Sequence, residues 1–255
     1  MSAPIDDGGE EPPSLPVSRT PYRIIAALEV LLCSGYPTQL ALSGSFVALG
    51  IAPFNRNGGL NTAYVVGVSL ADTLLVVGLV FLFLLSHGEH PRDVIVGRVS
   101  ALTEAAAGLP LIFVALGIGL VILLLTQWLA PWLHTVQRNP MQDLLVSPRD
   151  AWLFALVVLI AGGIREEVQR AFMLHRFDVW LGGARTGLIV TSIAFGAGHL
   201  IQGADAALAT GLLGAFWGAV YLRRRSAVAP MVSHAGFDLL QIVQFVVART
   251  AQVPT

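Results

Sequence analysis

Seven apolar stretches, at about 24–51, 62–86, 107–129, 151–174, 187–202, 206–222 and 227–248, decide what this chain can fold into. A helix needs about 20 mainly apolar residues to cross the hydrocarbon core of a bilayer. Only 12% of the 255 residues are charged, against roughly 25% in soluble domains. The chain therefore reads as all-α, a polytopic membrane helix bundle with about seven (six to eight) transmembrane helices. The first stretch holds Gly35, Tyr36 and Pro37 and is expected to kink. The fifth and sixth are short, are separated by Gln202 to Asp205, and fit a tight helical hairpin. Between the third and fourth, Trp128, Pro131, Trp132 and Pro140 suit an interfacial loop with aromatic anchors. A further short helix fits there or around 90–104.

Residues 1–19 differ in kind. Asp6, Asp7, Glu10, Glu11 and several prolines leave too few large apolar side chains to bury, so the segment reads as a disordered tail. Having no basic start, it does not read as a secretory signal. Residues 20–150 then carry the N-terminal helices and the interfacial loop, and 151–250 form a helical core holding most of the polar side chains within spans. All 15 basic residues are arginine. With the N-terminus inside, nine fall on inner loops or span ends and four outside, so the positive-inside rule favours a cytoplasmic N-terminus. A net charge of −1 argues against a nucleic-acid partner and leaves membrane lipids as the surroundings. The single Cys33 excludes an internal disulfide.

The fourth stretch breaks the apolar pattern with Arg165-Glu166-Glu167-Val168-Gln169-Arg170. A charge at bilayer depth costs about 2.5–3.5 kcal/mol on insertion scales, so such groups need partners, a hydrated cavity or a function. Glu166 and Arg170 are i,i+4 and Glu167 and Arg170 are i,i+3, so one carboxylate can pair while the other stays available for acid–base chemistry. An ion cluster that merely ties helices together uses the same residues. Phe195 and His199 share a face at the end of the fifth stretch, and His234 and Asp238 share one on the seventh. At about 1.5 Å per residue, Glu166, His234 and His199 lie roughly 15, 13 and 21 Å from the nearest inner arginine, a common depth near mid-membrane. Glu29 reads as reaching the interface, Asp72 as bonding a neighbouring helix or lining the cavity, and Glu104 as an anion at a helix N-terminus. His87, His90, His134 and His175 read as solvated or interfacial. Gly214 and Gly218 form a GxxxG pair, and Gly196, Gly198 and Gly211 also mark close helix approach.

Glu166-Glu167 with Arg170, Phe195-x-x-x-His199 and His234-x-x-x-Asp238, in this order on three stretches, resemble the CPBP family of intramembrane proteases. That family includes the type II CAAX prenyl endopeptidases and Abi-type bacteriocin-processing relatives. One departure stands out: the family pattern is usually Glu-Glu-x-x-x-Arg, and here only Val168 and Gln169 intervene. The resemblance implies an intramembrane endopeptidase acting near the cytoplasmic leaflet on membrane-associated or lipidated peptides, in a bacterial inner membrane. Glu166 would be the general base and His199 would hold the water. His234 and Asp238 would bind the carbonyl or orient the oxyanion donor, with Glu167, Arg170 and Phe195 supporting them. If the chemistry is metal-dependent, Glu166, His199 and His234 would hold a divalent ion such as zinc. The competing reading is a non-enzymatic membrane protein, either a proton-coupled transporter or an immunity or partner-binding factor. Many transporters show two matching halves, and none is visible here.

Overall fold

The computed structural model describes residues 20–56, 58–137, 139–145 and 147–251, and the tail read at residues 1–19 lies outside them. The described residues form helices α1 (Thr20–Leu32), α2 (Tyr36–Ala48), α3 (Thr62–Ser86), α4 (Pro91–Ile95), α5 (Ala101–Leu129), α6 (Pro148–Val157), α7 (Glu167–Trp180), α8 (Ala184–Ala197), α9 (Ala204–Arg224) and α10 (Val228–Ala251). Between α6 and α7 the chain stays helical but widens into π turns over Val158–Glu166. Pro148–Trp180 is thus one continuous helix carrying the charged motif near its middle.

Four helices, α3, α5, α9 and α10, are long and apolar enough to cross a membrane, and α1 with α2 makes a fifth if the bent pair is one span. The bend, 43°, falls where the sequence predicts it. Gly35 sits there at φ 84°, a conformation that side-chain-bearing residues avoid, and Pro37 follows within the first turn of α2. The stretch read as 187–202 is shorter in helix, because α8 stops at Ala197 and His199 lies in the turn beyond. The short extra helices expected around 90–104 and 127–150 are α4 and two 3-10 turns at Pro131–Leu133 and Pro140–Leu144. Asn61, Ser100 and Ser147 cap α3, α5 and α6 by accepting backbone N–H bonds, which starts each helix at its observed residue.

Polarity is inverted relative to a soluble domain. Leu74, Leu102 and Phe113 point outward, while Asp72, Glu104, Glu167 and Arg176 are buried. Lipid solvates the former; the latter need one another. Glu104 binds Arg224 through two hydrogen bonds of 2.6 and 3.1 Å, joining the start of α5 to the end of α9. Glu29 is buried, accepting from Arg176 at 2.6 Å with His87 at 2.7 Å. His175 pairs with Glu89 and His134 with Asp205, so three of the four histidines read as solvated or interfacial also hold an acidic partner. Glycine permits the close crossing of α8 and α9. A Cβ on Gly196 would fall 2.7 Å from the Ala207 carbonyl, and one on Gly218 would fall 2.5 Å from Leu188.

Candidate active site

The π segment and α10 meet through glycine. A side chain on Gly163 would lie 2.6 Å from the Cβ of Ala235, and one on Gly162 would lie 2.7 Å from Oδ2 of Asp238. This approach puts Glu166 opposite His234 and Asp238. Nε2 of His234 lies 3.9 Å from Oε2 of Glu166 and 3.7 Å from Oδ2 of Asp238. Both separations exceed a direct hydrogen bond.

The other nitrogen of the ring is fixed. Nδ1 of His234 lies 2.8 Å from Oε1 of Glu167, and Arg170 binds that same carboxylate. A carboxylate held by a guanidinium accepts, so Nδ1 carries the proton and Nε2 faces Glu166 and Asp238. Glu167, expected only to support the site, is thus the residue bonded to the His234 ring. The shortened Glu-Glu-x-x-Arg spacing does not prevent the ion pair, because i+3 and i+4 share a helix face.

Aromatic rings enclose the imidazole. Trp217 of α9 stacks on His234 with centroids 3.8 Å apart and planes 17° from parallel, and its indole N–H donates to Ser233 at 3.1 Å. Phe195 meets His199 edge-on at 4.8 Å and His234 at 6.1 Å, while the Arg170 guanidinium lies 4.6 Å over its face. His199 places Nδ1 2.8 Å from the Phe195 carbonyl. A carbonyl only accepts, so Nδ1 donates and Nε2 is left as the ring's other polar atom.

Arg165 closes the other side. Its guanidinium donates to Gln169 at 3.0 Å, lies 3.4 Å from Asp72 and lies 3.8 Å from Glu166. Asp72 in turn accepts from Thr38 at 2.5 Å and Gln39 at 3.3 Å, tying α2 and α3 to the site. Two cavities of about 600 and 250 Å³ share Arg165, Glu166 and His199 in their walls; His234 and Asp238 line the larger.

Of the residues that the sequence singles out, Glu166 and Asp238 lie near Nε2 of His234, and His199 shares their cavity wall; of the two glutamates that could pair with Arg170, it is Glu167 that does. Sequence reasoning misses Trp217, whose place inside a GxxxG helix reads only as packing, and it misses the bond between Asp72 and Arg165, which are 93 residues apart. A catalytic zinc asks for about three N or O ligands some 2.0–2.2 Å from one point. Among the described residues no three His, Cys, Asp or Glu side chains are so grouped. As placed, Glu166, His199 and His234 do not form a ligand set, and Arg165 adds positive charge beside Glu166.

No curated protein and no solved structure matches the chain. Residues 148–240, which run from the start of α6 into α10, match the family model described as type II CAAX prenyl endopeptidase Rce1-like.

Proposed function

We propose that this protein is an intramembrane endopeptidase that hydrolyses peptide bonds with a water activated by Glu166. The observation that carries the reading is that Glu166 and Asp238 both lie within 3.9 Å of Nε2 of His234, in the wall of a cavity of about 600 Å³. The protease family matched by residues 148–240 supports it.

Glu166 takes a proton from a water held in the cavity beside it and His234, and the resulting hydroxide attacks the scissile carbonyl. His234, held at Nδ1 by Glu167, presents Nε2 to the oxygen that becomes negative; protonated there, it donates to that oxyanion. The proton on Glu166 then passes to the leaving amine as the C–N bond breaks. His199 helps to hold the water through Nε2. Asp238 cannot donate to an oxyanion when ionised. Its place 3.7 Å from Nε2 suits it to favour the protonated ring and to fix the water from the other side.

The test is a cleavage assay in detergent with membrane-derived peptides, comparing wild type with Glu166→Ala and His199→Ala. Both variants lose turnover if the assignment holds. Unchanged turnover in both removes it.

A further inference from the structure

The two ends of the bundle differ. At one end the last turn of α9 pairs with the start of α5 (Arg224 to Glu104) and with α7 (Arg225 to Asp178), and Tyr22 of α1 stacks on Trp180. Among the described residues, this end exposes Arg23, Arg92, Arg98, Arg185, Arg223, Arg224 and Arg225. At the opposite end His134, beyond α5, binds Asp205 at the start of α9, and Arg249 of α10 donates to the Leu145 carbonyl. Among the described residues, the exposed arginines there are Arg56, Arg149 and Arg249. Seven against three places the first end in the cytoplasm by the positive-inside rule. Aromatic residues mark both membrane surfaces: Tyr22 and Trp180 at the arginine-rich end, and exposed Trp128, Trp132 and Trp152 at the other.

The cavities belong to the second end. The larger one has Glu166, Trp217 and His234 in its wall and reaches His134, Gln137 and Gln142 of the loop beyond α5, together with Gln241 in the distal half of α10. His134, Gln137 and Gln241 are exposed. Among the described residues, none from the arginine-rich end lines either cavity. The rim is rich in neutral amides (Gln137, Asn139, Gln142, Gln202 and Gln241), which can donate to and accept from an extended backbone without selecting for charge. Deeper in, Leu213, Phe237 and Ile242 offer apolar contact.

We infer that the site opens on the non-cytoplasmic face of the membrane and takes extended, apolar peptide segments of membrane-anchored chains presented from that side. The substrate half of this rests on the peptidase reading; the orientation does not. Such a site is closed to lipidated proteins held on the cytoplasmic leaflet.

Cysteine accessibility tests the orientation directly. Cys33 is fully buried, so the wild-type chain serves as the unlabelled control. Gln137→Cys and Gln241→Cys report the cavity rim, and His90→Cys reports the arginine-rich end. In intact cells a membrane-impermeant maleimide should label either rim variant and should reach His90→Cys only after permeabilisation. Labelling of His90→Cys in intact cells, or of the rim variants only after permeabilisation, overturns the inference. A soluble apolar peptide added to sealed vesicles should be cut in right-side-out vesicles and spared in inside-out ones; the reverse overturns the substrate half. Absence of cleavage even in detergent counts against the peptidase reading alone, because labelling decides orientation without it.

Discussion

Nδ1 of His234 on α10 donates a 2.8 Å hydrogen bond to Oε1 of Glu167, the oxygen that Arg170 also binds. Two adjacent glutamates thereby receive different duties. Glu167 is buried and fully engaged, whereas Glu166 faces the cavity. Glu166→Gln should lower kcat by about 10²–10⁴-fold, the range for loss of a general base, with little change in Tm. Glu167→Gln removes the counter-charge of a buried guanidinium, a loss of about 3–5 kcal/mol, and should lower Tm as well as activity. Turnover and thermal unfolding of both variants in detergent check this; a stable Glu167→Gln with full activity contradicts it.

Trp217 covers one face of the His234 ring and holds Ser233 through its indole N–H. Trp217→Ala empties a fully buried site, and about 3–5 kcal/mol of stability should go with it. Trp217→Phe keeps an aromatic face but leaves the Ser233 hydroxyl without its donor. It should retain the fold and lose part of kcat, with KM nearly unchanged. A fall in KM affinity with full kcat would place Trp217 in substrate binding instead.

Gly163 allows the π segment to touch Ala235. Gly163→Ala forces the two backbones apart at a cost of about 1–3 kcal/mol and widens the gap between Glu166 and His234. Turnover should fall more than stability does. Ala235→Gly in the same chain should restore much of both, since it removes the other methyl group; a double variant no better than the single one refutes steric contact as the cause.

Treatment with a chelator should leave peptide cleavage intact. The reason is the charge beside the site: Arg165 lies 3.8 Å from Glu166, where a divalent cation would be repelled. Loss of activity on chelation, with recovery on adding zinc, would require the three side chains to regroup and would overturn the mechanism.

Acid sensitivity should arise partly outside the spans. Burial pushes the Glu89 carboxyl up, but hydrogen bonds from His175 and Arg176 outweigh it and hold the group below its ordinary value of 4.5. The folded state thus favours the ionised form. Its contribution is fully present above pH 4.5 and fades as the pH falls through the depressed folded value. Glu89→Gln should lower Tm at neutral pH and flatten the fall in Tm between pH 5 and pH 3. An unchanged slope removes Glu89 from the acid response.

The apolar stretches and the two helical spacings were enough to give an all-α membrane bundle and to put Glu166, His234 and His199 at a common expected depth, because hydrophobic length and period are local properties of a chain. The pairing of Glu167 with Arg170 was legible for the same reason, the missing residue notwithstanding. The histidines beyond the site were not: His87, His134 and His175 gain acidic partners that are 58, 71 and 86 residues away in sequence. Likewise, the stacking of Trp217 on His234 and the hold of Asp72 on Arg165 exist only once α3, α9 and α10 have packed around the π segment. Desolvation in the packed bundle selects such contacts, since each buried charge or ring nitrogen must find whatever partner the neighbouring helix presents. No spacing along a single helix records which neighbour that will be.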